Sequence, residues 1–478
     1  MVLRSLVHSL LSISMKYTEK HESLLSVVAE ILNFYNNLKR RHEVARRFSD
    51  LKAIARKYNI KGRPRGSVVL IVIDCLRYRN MSFTGYHRKT TPFLDRFPIK
   101  LRAYAPAPHT YSSVPSILSG LYPHNHGAVI SGIIKSFHRP KSLRPLNRNV
   151  ILLPEILKLL GYEVYVVSSI GNALFPLRTS ALLWEDMGKV KAGYVLRKAL
   201  KLLSKSSREG KDFFAYIHLG DLHTPLRPPK EYRNFFGEVK ALPNIETWNY
   251  TRPYEQRGAE FEEYKFNRIL LYDNTLRYVD NVLEWFVSEL EDKVKNDLVI
   301  LVTADHGEEF WEHADLESKY FYDPRGFYGI GHAHNLFNEI IEVPLLLRGV
   351  NVNKIHSTAK PISLVDLVPT ILDWLGLEYH EKFFDGQSIL GGAPRNRCVL
   401  SEAVAHGYEK KALIEERYKL LYSEGDSVLW LFDLQKDPME RNPITSEEVV
   451  SHMIDILKKM LIRDLLRRRL KRTVRGRL

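Results

Sequence analysis

Acidic and imidazole side chains stand directly beside apolar runs at four places in the chain. They are Asp74, Asp221 with His223, Asp305 with His306, and His332 with His334. Carboxylate oxygens suit hard divalent cations, and imidazole extends the choice to zinc and manganese. Asp74, Asp305 and His306 together therefore predict an open site for one divalent ion, which is Ca²⁺, Mn²⁺, Mg²⁺ or Zn²⁺.

A fifth segment supplies hydroxyl groups. Thr110, Ser112 and Ser113 stand just before a short apolar helical stretch, where free backbone N–H groups and the helix dipole favour an anion. A hydroxyl is a weak nucleophile until a base or a metal lowers its pKa. The segment is thus a candidate source of a metal-activated nucleophile, although a Ser- and Pro-rich helix start with no chemistry explains it as well.

Continuous apolar runs predict the strands that carry these groups. The runs are 67–74, Glu163–Val167, Phe213–Leu219, Leu298–Thr303 and Val343–Leu347, and the helical patterns between them are Leu152–Leu160, Tyr194–Leu203, Tyr272–Glu291 and Val365–Leu375. Strands that alternate with helices predict an α/β fold with a mostly parallel central sheet between helices. Ligands of such sheets collect at the carboxyl ends of the strands, where the acidic and imidazole groups stand.

The pattern outside this region is different. Short strands beyond Glu378 predict a small antiparallel subdomain, and helical spacing from His21 to Tyr58 predicts a helical extension that the Gly- and Pro-rich segment 62–66 ends. The expected organisation is a basic helical extension over 1–66, a catalytic domain over 67–378, a subdomain over 379–445, and a basic helix and tail over 446–478.

The charge is concentrated in the two ends. The chain of 478 residues has a net charge of +16, of which 1–66 carry +9 and 446–478 carry +6, so that 67–445 are almost neutral. A neutral body does not favour nucleic acid as a partner. The basic ends are candidates for contact with an anionic membrane surface or with another subunit, and the bland alternative is a solvated tail.

Cysteine content and hydropathy limit the location. Two cysteines, Cys75 and Cys398, exclude a disulfide scaffold and a multi-cysteine metal site, which favours a reducing compartment. The longest apolar runs are far shorter than the roughly 20 residues that span a bilayer. A cytoplasmic location, with the basic ends able to hold the protein at a membrane surface, is the expectation.

Seven segments resemble, in the same order, the motif series of the sulfatases of the alkaline-phosphatase-like superfamily. They are 71–77, 110–127, 221–225, 303–307, 331–337 with 343–344, 365–370 and 431–438. The resemblance covers about 67–445. It implies a sheet between helices, a smaller C-terminal antiparallel subdomain, and hydrolysis of sulfate or phosphate esters through a metal-bound nucleophile.

The resemblance also assigns roles to individual positions. Asp74, Asp305 and His306 match metal ligands, Thr110 matches the nucleophile and a further ligand, and His223 matches a group near the leaving oxygen. His332 and His334 fall where the family has a cation or imidazole that binds the transferred group, and the choice between them stays open.

Some positions depart from the family pattern. Sulfatases oxidise a Cys or Ser to formylglycine, whereas this chain has Thr110 there and Val114 in place of the following Arg. An alternative alignment makes Ser113 the nucleophile but needs a three-residue deletion, so Thr110 is preferred. Cys75 replaces the second Asp of the common Asp-Asp pair, and Arg79 replaces an acidic residue, which leaves the identity of the metal open.

The sequence therefore predicts a metal-dependent hydrolase of sulfate, phosphate or phosphonate esters with a threonine nucleophile. Its substrate is expected to be a small or glycan-linked ester. Two alternatives remain at this stage: a transferase that moves a phosphoryl headgroup onto a glycan or lipid, and a degenerate member that binds without turnover.

Overall fold

A computed structural model describes residues 44–45, 47–48, 50–136, 142–180, 182–355, 360–391 and 397–473, without the side chains of Asn172 and of 463–473. The part of the helical extension predicted between 21 and 43 lies outside the described residues. A helix that ends at residue 58 follows it, and its Tyr58 stacks on Phe383 of the body with ring centroids 4.6 Å apart.

Ten strands are found among the described residues before residue 378. They are β1 (Ser67–Ile73), β2 (Ile99–Tyr104), β3 (Glu163–Ser168), β4 (Glu185–Asp186), β5 (Phe213–Leu219), β6 (Leu298–Thr303), β7 (Glu309–Phe310), β8 (Ile330–Gly331), β9 (Glu342–Gly349) and β10 (Ile362–Ser363). From Thr110 onwards, the α-helices of the described residues are α1 (Thr110–Ser119), α2 (Pro123–His126), α3 (Leu153–Leu159), α4 (Gly171–Leu174), α5 (Ala192–Arg208), α6 (Lys230–Arg233), α7 (Ala259–Lys293), α8 (Ala314–Tyr320), α9 (Asn338–Ile341), α10 (Leu367–Trp374) and α11 (Glu447–Thr473).

The central sheet has the order β10-β2-β9-β6-β1-β5-β3-β4. Strand β1 lies between β5 and β6 and is parallel to both. All seven of its residues are buried, and because successive side chains point to opposite faces, both faces of the sheet are covered. This arrangement confirms the α/β fold with a mostly parallel sheet that the apolar runs predict.

Strand β9 runs against its neighbours β2 and β6, a direction that the apolar pattern does not contain. The whole segment between β6 and β9 forms only the short elements β7, α8, β8 and α9. The chain therefore enters β9 from the edge at which β6 ends, and the segment that contains His332 stays at that edge.

Four further strands form a separate antiparallel sheet: β11 (Cys398–Ser401), β12 (Lys411–Glu415), β13 (Tyr418–Ser423) and β14 (Val428–Asp433). One set of its apolar residues packs with Phe337, Ile340 and Ile341. Another set packs with Met453 and Leu457 of α11. The C-terminal helix is thus held to the body through its first half.

In the part of the chain that the structure covers, no helix has the length and apolar character needed to cross a bilayer.

Truncation of Met453 tests the docking of α11. The side chain is fully buried, so Met453→Ala should lower the free energy of unfolding by about 2–5 kcal/mol through lost contacts and a cavity. Urea titration followed by circular dichroism measures the change. Ile462→Ala, at a side chain that is 54% exposed on the same helix, is the control and should change stability by less than about 0.5 kcal/mol. Equal effects of the two variants would show that α11 is not docked in this way.

Candidate active site

The sheet brings three side chains together at the carboxyl ends of adjacent parallel strands. Asp74 follows β1, His218 is the penultimate residue of β5, and Asp305 comes two residues after β6. One ligand atom of each lies within 4.8 Å of the other two, and all three residues are fully buried. The site therefore has two carboxylates and an imidazole in a small space closed to solvent.

Thr110 adds a hydroxyl at the N-terminus of α1. Its Oγ1 donates to Asp74 Oδ2 at 3.3 Å and lies 3.2 Å from His306 Nε2. The other two hydroxyls are bound elsewhere, since Ser113 Oγ donates to the carbonyl of Asp305 at 2.7 Å and Ser112 Oγ to the carbonyl of Ala128 at 2.9 Å. Of the three candidate hydroxyls, Thr110 is the one that contacts the carboxylate.

A close backbone contact fixes the orientation of His306. Its Nδ1 donates to the carbonyl of Gly307 at 2.8 Å, which directs Nε2 towards Asp74 Oδ1 at 3.5 Å and Asp305 Oδ2 at 3.6 Å. A Cβ at position 307 would lie 2.1 Å from the carbonyl oxygen of Glu339, so only glycine permits this approach. The Asp305-His306-Gly307 segment is thus pressed against α9.

Burial and neighbouring charges oppose each other at the carboxylates. Burial works to raise the pKa of Asp74, but the imidazoles of His218, His223 and His306 outweigh it and hold that pKa well below its usual value. Burial and the charge of Asp74 raise the pKa of Asp305. Burial opposes protonation of His306, whose pKa is nevertheless raised by the two aspartates. Positive charge placed next to the two carboxylates would therefore be stabilised.

Two further histidines, His223 and His332, lie near His306. The ring of His332 is 4.3 Å from that of His306 and 5.3 Å from that of His223, measured between centroids. His332 Nδ1 lies 2.9 Å from Glu308 Oε1, and burial together with the charge of His306 lowers the pKa of His332 to about 4. A neutral His332 then donates from Nδ1 to the carboxylate.

The structure does not bring His334 to this group. Its Nε2 lies 3.0 Å from Glu309 Oε2 and 3.1 Å from Glu317 Oε1, in a second buried cluster. Burial and the charge of Glu317 raise the pKa of Glu309 to about 8. Of the two histidines in the His-Ala-His segment, His332 is the one beside His306 and His223.

The sequence did not assign His218 or Glu308 to the site, and it noted Cys75 only as the residue in place of a family Asp. Cys75 Sγ donates to Asp74 Oδ1 at 3.0 Å, and burial followed by the charge of Glu308 raises its pKa well above that of a free thiol. The signal for His218 was available, because it is a polar residue near the carboxyl end of an otherwise apolar strand. Arg79, at a position where the family has an acid, contacts Glu342 and the carbonyl of Pro438 instead of the site.

The side chains fit a divalent cation. Asp305 Oδ2 is buried and has no hydrogen-bond partner among the described residues, although an unpaired buried carboxylate oxygen is costly. It faces the carboxylate of Asp74 and the Nε2 atoms of two histidines. Oxygen and imidazole donors that converge in this way are typical of a site for a divalent ion.

Comparison with known proteins finds a family, a relative in sequence and two similar folds. A model of the Sulfatase family matches residues 67–377. An arylsulfatase from Clostridium perfringens is 23% identical over 301 residues, which are 57% of each chain, so this chain spans little more than half the length of that relative.

Two solved structures share the fold. A phosphonate monoester hydrolase from Silicibacter pomeroyi has a TM-score of 0.61 at 18% identity, over 84% of this chain and 95% of that one. A protein solved in complex with its substrate, D-glucosamine-2-N,6-O-disulfate, has a TM-score of 0.58 at 16% identity, over 84% of this chain and 98% of that one.

A buried ion pair supports the site from the side of α9. His313 Nδ1 donates to Glu339, its Nε2 donates to the carbonyl of Met439 at 2.8 Å, and its ring stacks on Phe337 with centroids 3.7 Å apart. Glu339 is the residue whose carbonyl contacts Gly307 and accepts from Glu308 N at 3.0 Å. The pair therefore fixes the backbone against which the Asp305–Glu308 segment rests.

The stability that this pair contributes should depend on pH. Burial would lower the pKa of His313, but Glu339 raises it to about 10; burial would raise the pKa of Glu339, but His313 lowers it to about 2. Relative to ordinary values of 6.5 and 4.5, the contribution is complete between about pH 4.5 and 6.5. It is lost as the pH rises through about 10 or falls through about 2.

His313→Gln should therefore destabilise the protein by about 3 kcal/mol at pH 6 and by clearly less at pH 9, as measured by chemical denaturation. The matched control is His452→Gln, which breaks a His–Glu pair at a histidine side chain that is 59% exposed and should have little effect at either pH. A loss at pH 9 as large as that at pH 6 would contradict the assignment.

Proposed function

Since the chain belongs to the sulfatase family, we propose that it is a metal-dependent hydrolase of anionic esters in which Thr110 is the nucleophile. The observation that carries the proposal is the position of Thr110 Oγ1, in contact with both Asp74 and His306 at a helix N-terminus. Asp74, Asp305, His306 and Thr110 would hold one divalent cation. When bound, that ion supplies positive charge that lowers the pKa of the hydroxyl and offsets the charge of the ester oxygens.

The chain's own residues account for the first half of the reaction. Thr110 Oγ1 passes its proton towards Asp74, with which it is already hydrogen-bonded, and attacks the sulfur or phosphorus of the ester. A bond from Oγ1 to that atom forms while the bond to the leaving oxygen breaks. The free backbone N–H groups at the start of α1 favour the negative charge of the transferred group.

His223 is the candidate general acid. Its Nδ1 donates to the carbonyl of Thr224 at 2.8 Å, which fixes the ring, and in the imidazolium form Nε2 would carry the proton that passes to the departing oxygen. His332 stands between His223 and His306, where it would bind an oxygen of the transferred group. A water molecule would then give a proton to His223 and attack the sulfur or phosphorus, the bond to Thr110 Oγ1 would break, and Oγ1 would take back the proton from Asp74. His334 has no part in this proposal because of its contacts with Glu309 and Glu317.

Phosphorus and sulfur esters are both candidate substrates. A plain alkoxide is the usual nucleophile of phosphoryl transfer, and Thr110 cannot form the aldehyde associated with sulfate release. The similarity to a phosphonate monoester hydrolase agrees with this choice, and the similarity to a protein bound to a sulfated glucosamine supports a glycan-linked ester. Phosphate or phosphonate monoesters are therefore the first class that we propose, with sulfate esters next.

Substitution of the nucleophile is the principal test. Thr110→Ala should lower kcat roughly 10⁴- to 10⁶-fold on the best of a panel of aryl sulfates, phosphate monoesters and diesters, and phosphonate monoesters in the presence of divalent metal. Thr110→Ser should restore a measurable part of that rate because it keeps the hydroxyl.

The matched variant is Ser113→Ala, which removes the rival nucleophile and should stay within about tenfold of the unmodified protein. Full turnover by Thr110→Ala, or loss confined to Ser113→Ala, would refute the assignment of Thr110.

The role of His223 predicts a dependence on the leaving group. His223→Gln should slow the hydrolysis of alkyl esters roughly 10²- to 10⁴-fold, because an alkoxide needs a proton to leave. Nitrophenyl esters, whose leaving group is stable as an anion, should lose much less. Rates across a series of leaving-group pKa values give the measurement, and a uniform loss across the series would exclude general-acid catalysis by His223.

A further inference from the structure

His218 is a buried histidine with one ring nitrogen in a hydrogen bond and the other without a hydrogen-bond partner among the described residues. Its Nδ1 lies 2.7 Å from the hydroxyl of Tyr216, two residues earlier on β5. Its Nε2 has no hydrogen-bond partner within the described part of the chain, although the residue is completely buried. A buried polar atom without a partner needs an explanation.

The unpaired nitrogen is directed at the two carboxylates. Nε2 lies 3.6 Å from Asp74 Oδ2 and 3.8 Å from Asp305 Oδ2. Both distances exceed those of a hydrogen bond, so the ring approaches the carboxylates without bonding to either. Asp305 Oδ2 is itself unpaired. An unpaired ring nitrogen and an unpaired carboxylate oxygen therefore face each other at 3.8 Å, in a space that also borders Asp74.

The remaining neighbours do not satisfy this nitrogen. His306 approaches the same carboxylates through its own Nε2. Cys75 Sγ donates to the other oxygen of Asp74, Oδ1, and lies 3.7 Å from His332. An ordinary core histidine has hydrogen bonds at both ring nitrogens, whereas a histidine that binds a metal has one nitrogen held by a neighbour and the other free for the ion.

We propose that His218 Nε2 is a ligand of the divalent cation in this site, in addition to Asp74, Thr110, Asp305 and His306. The inference rests on the proposed function only for the presence of a cation. Tyr216 then acts as a positioning residue, because its hydroxyl fixes the ring so that Nε2 faces the carboxylates.

This ligand set has a consequence for the choice of metal. Two imidazole nitrogens among carboxylate and hydroxyl oxygens favour Mn²⁺ or Zn²⁺ over Ca²⁺ and Mg²⁺, which prefer oxygen ligands alone. We therefore expect the protein to bind Mn²⁺ at least tenfold more tightly than Ca²⁺, and His218→Gln to lose most of that preference.

Pulsed electron paramagnetic resonance of the Mn²⁺-loaded protein counts the coordinated nitrogens directly. The unmodified chain should show two ¹⁴N couplings, and His218→Gln should show one. The matched control is His126→Gln, at a buried histidine whose Nε2 is bonded to Ser116 Oγ at 2.9 Å outside the site, and it should keep both couplings. A single nitrogen in the unmodified chain, or no bound Mn²⁺, would overturn the proposal without reference to any variant.

Calorimetric titration with Mn²⁺ and Ca²⁺ supplies a second measurement. His218→Gln should raise the Kd for Mn²⁺ about 100-fold or more, and Tyr216→Phe about tenfold with both nitrogen couplings retained. Unchanged Mn²⁺ affinity in a folded His218→Gln protein would also overturn the proposal. If that variant does not fold, the spectrum of the unmodified chain and the affinity of Tyr216→Phe decide.

Thr110→Ala separates this inference from the proposed function. Two nitrogen couplings together with full turnover by Thr110→Ala would leave His218 as a ligand and refute the hydrolytic mechanism. One coupling in the unmodified chain together with an inactive Thr110→Ala would do the reverse.

Discussion

The repulsion between two buried carboxylates is the constraint on which the rest of this structure depends. Asp74 and Asp305 end adjacent parallel strands at one edge of the sheet, and neither is accessible to solvent. Burial without compensation would drive protons onto both. The imidazoles of His218, His223 and His306 hold the pKa of Asp74 down, while that of Asp305 remains raised. The imidazoles therefore offset the repulsion at Asp74 and leave it uncompensated at Asp305.

The scaffold holds this centre by close contacts behind it. Gly307 brings the segment after β6 against the backbone of Glu339, and the Glu339 carboxylate is in turn bound by His313. Strand β9 begins directly after α9 and runs back along β6. The reversed strand thus returns the chain from the edge that carries the chemistry, which is why the short segment between β6 and β9 can supply both His332 and its support.

The sequence predicted the acidic and imidazole residues that follow the strands. It did not predict which strands run antiparallel to their neighbours. Asp74, Asp305 and His306 follow apolar runs, so their meeting at one edge follows from parallel pairing. The apolar residues of β9 predict a strand but do not indicate that it runs antiparallel to its neighbours. Strand β2 was missed because Lys100 and Arg102 alternate with apolar residues and make it half exposed. His218 was not assigned because it lies inside an apolar strand, whereas the candidates were sought after the ends of the strands.

The His-Ala-His segment shows a second limit of pattern reasoning. The family resemblance places both His332 and His334 where the transferred group is bound, so the choice between them stayed open. Ala333 has a φ of +74°, in the left-handed region, which turns the chain between them. One ring then contacts His306 and the other contacts Glu309 and Glu317. The φ angle of Ala333 thus directs His332 and His334 into different clusters. No residue type in the segment requires that angle, so the sequence does not indicate it.

The charge of the site also limits the order in which it can work. An anionic ester that enters meets two aspartates, and the pKa of His332, at about 4, leaves that imidazole neutral near pH 7. The almost neutral body adds no long-range attraction, because the excess positive charge lies in the two ends of the chain. The residues alone would therefore repel the substrate that the geometry around Thr110 is suited to attack. Under the proposed function, a cation held by Asp74 and Asp305 would offset their repulsion of an anionic ester, so the cation would bind before the ester.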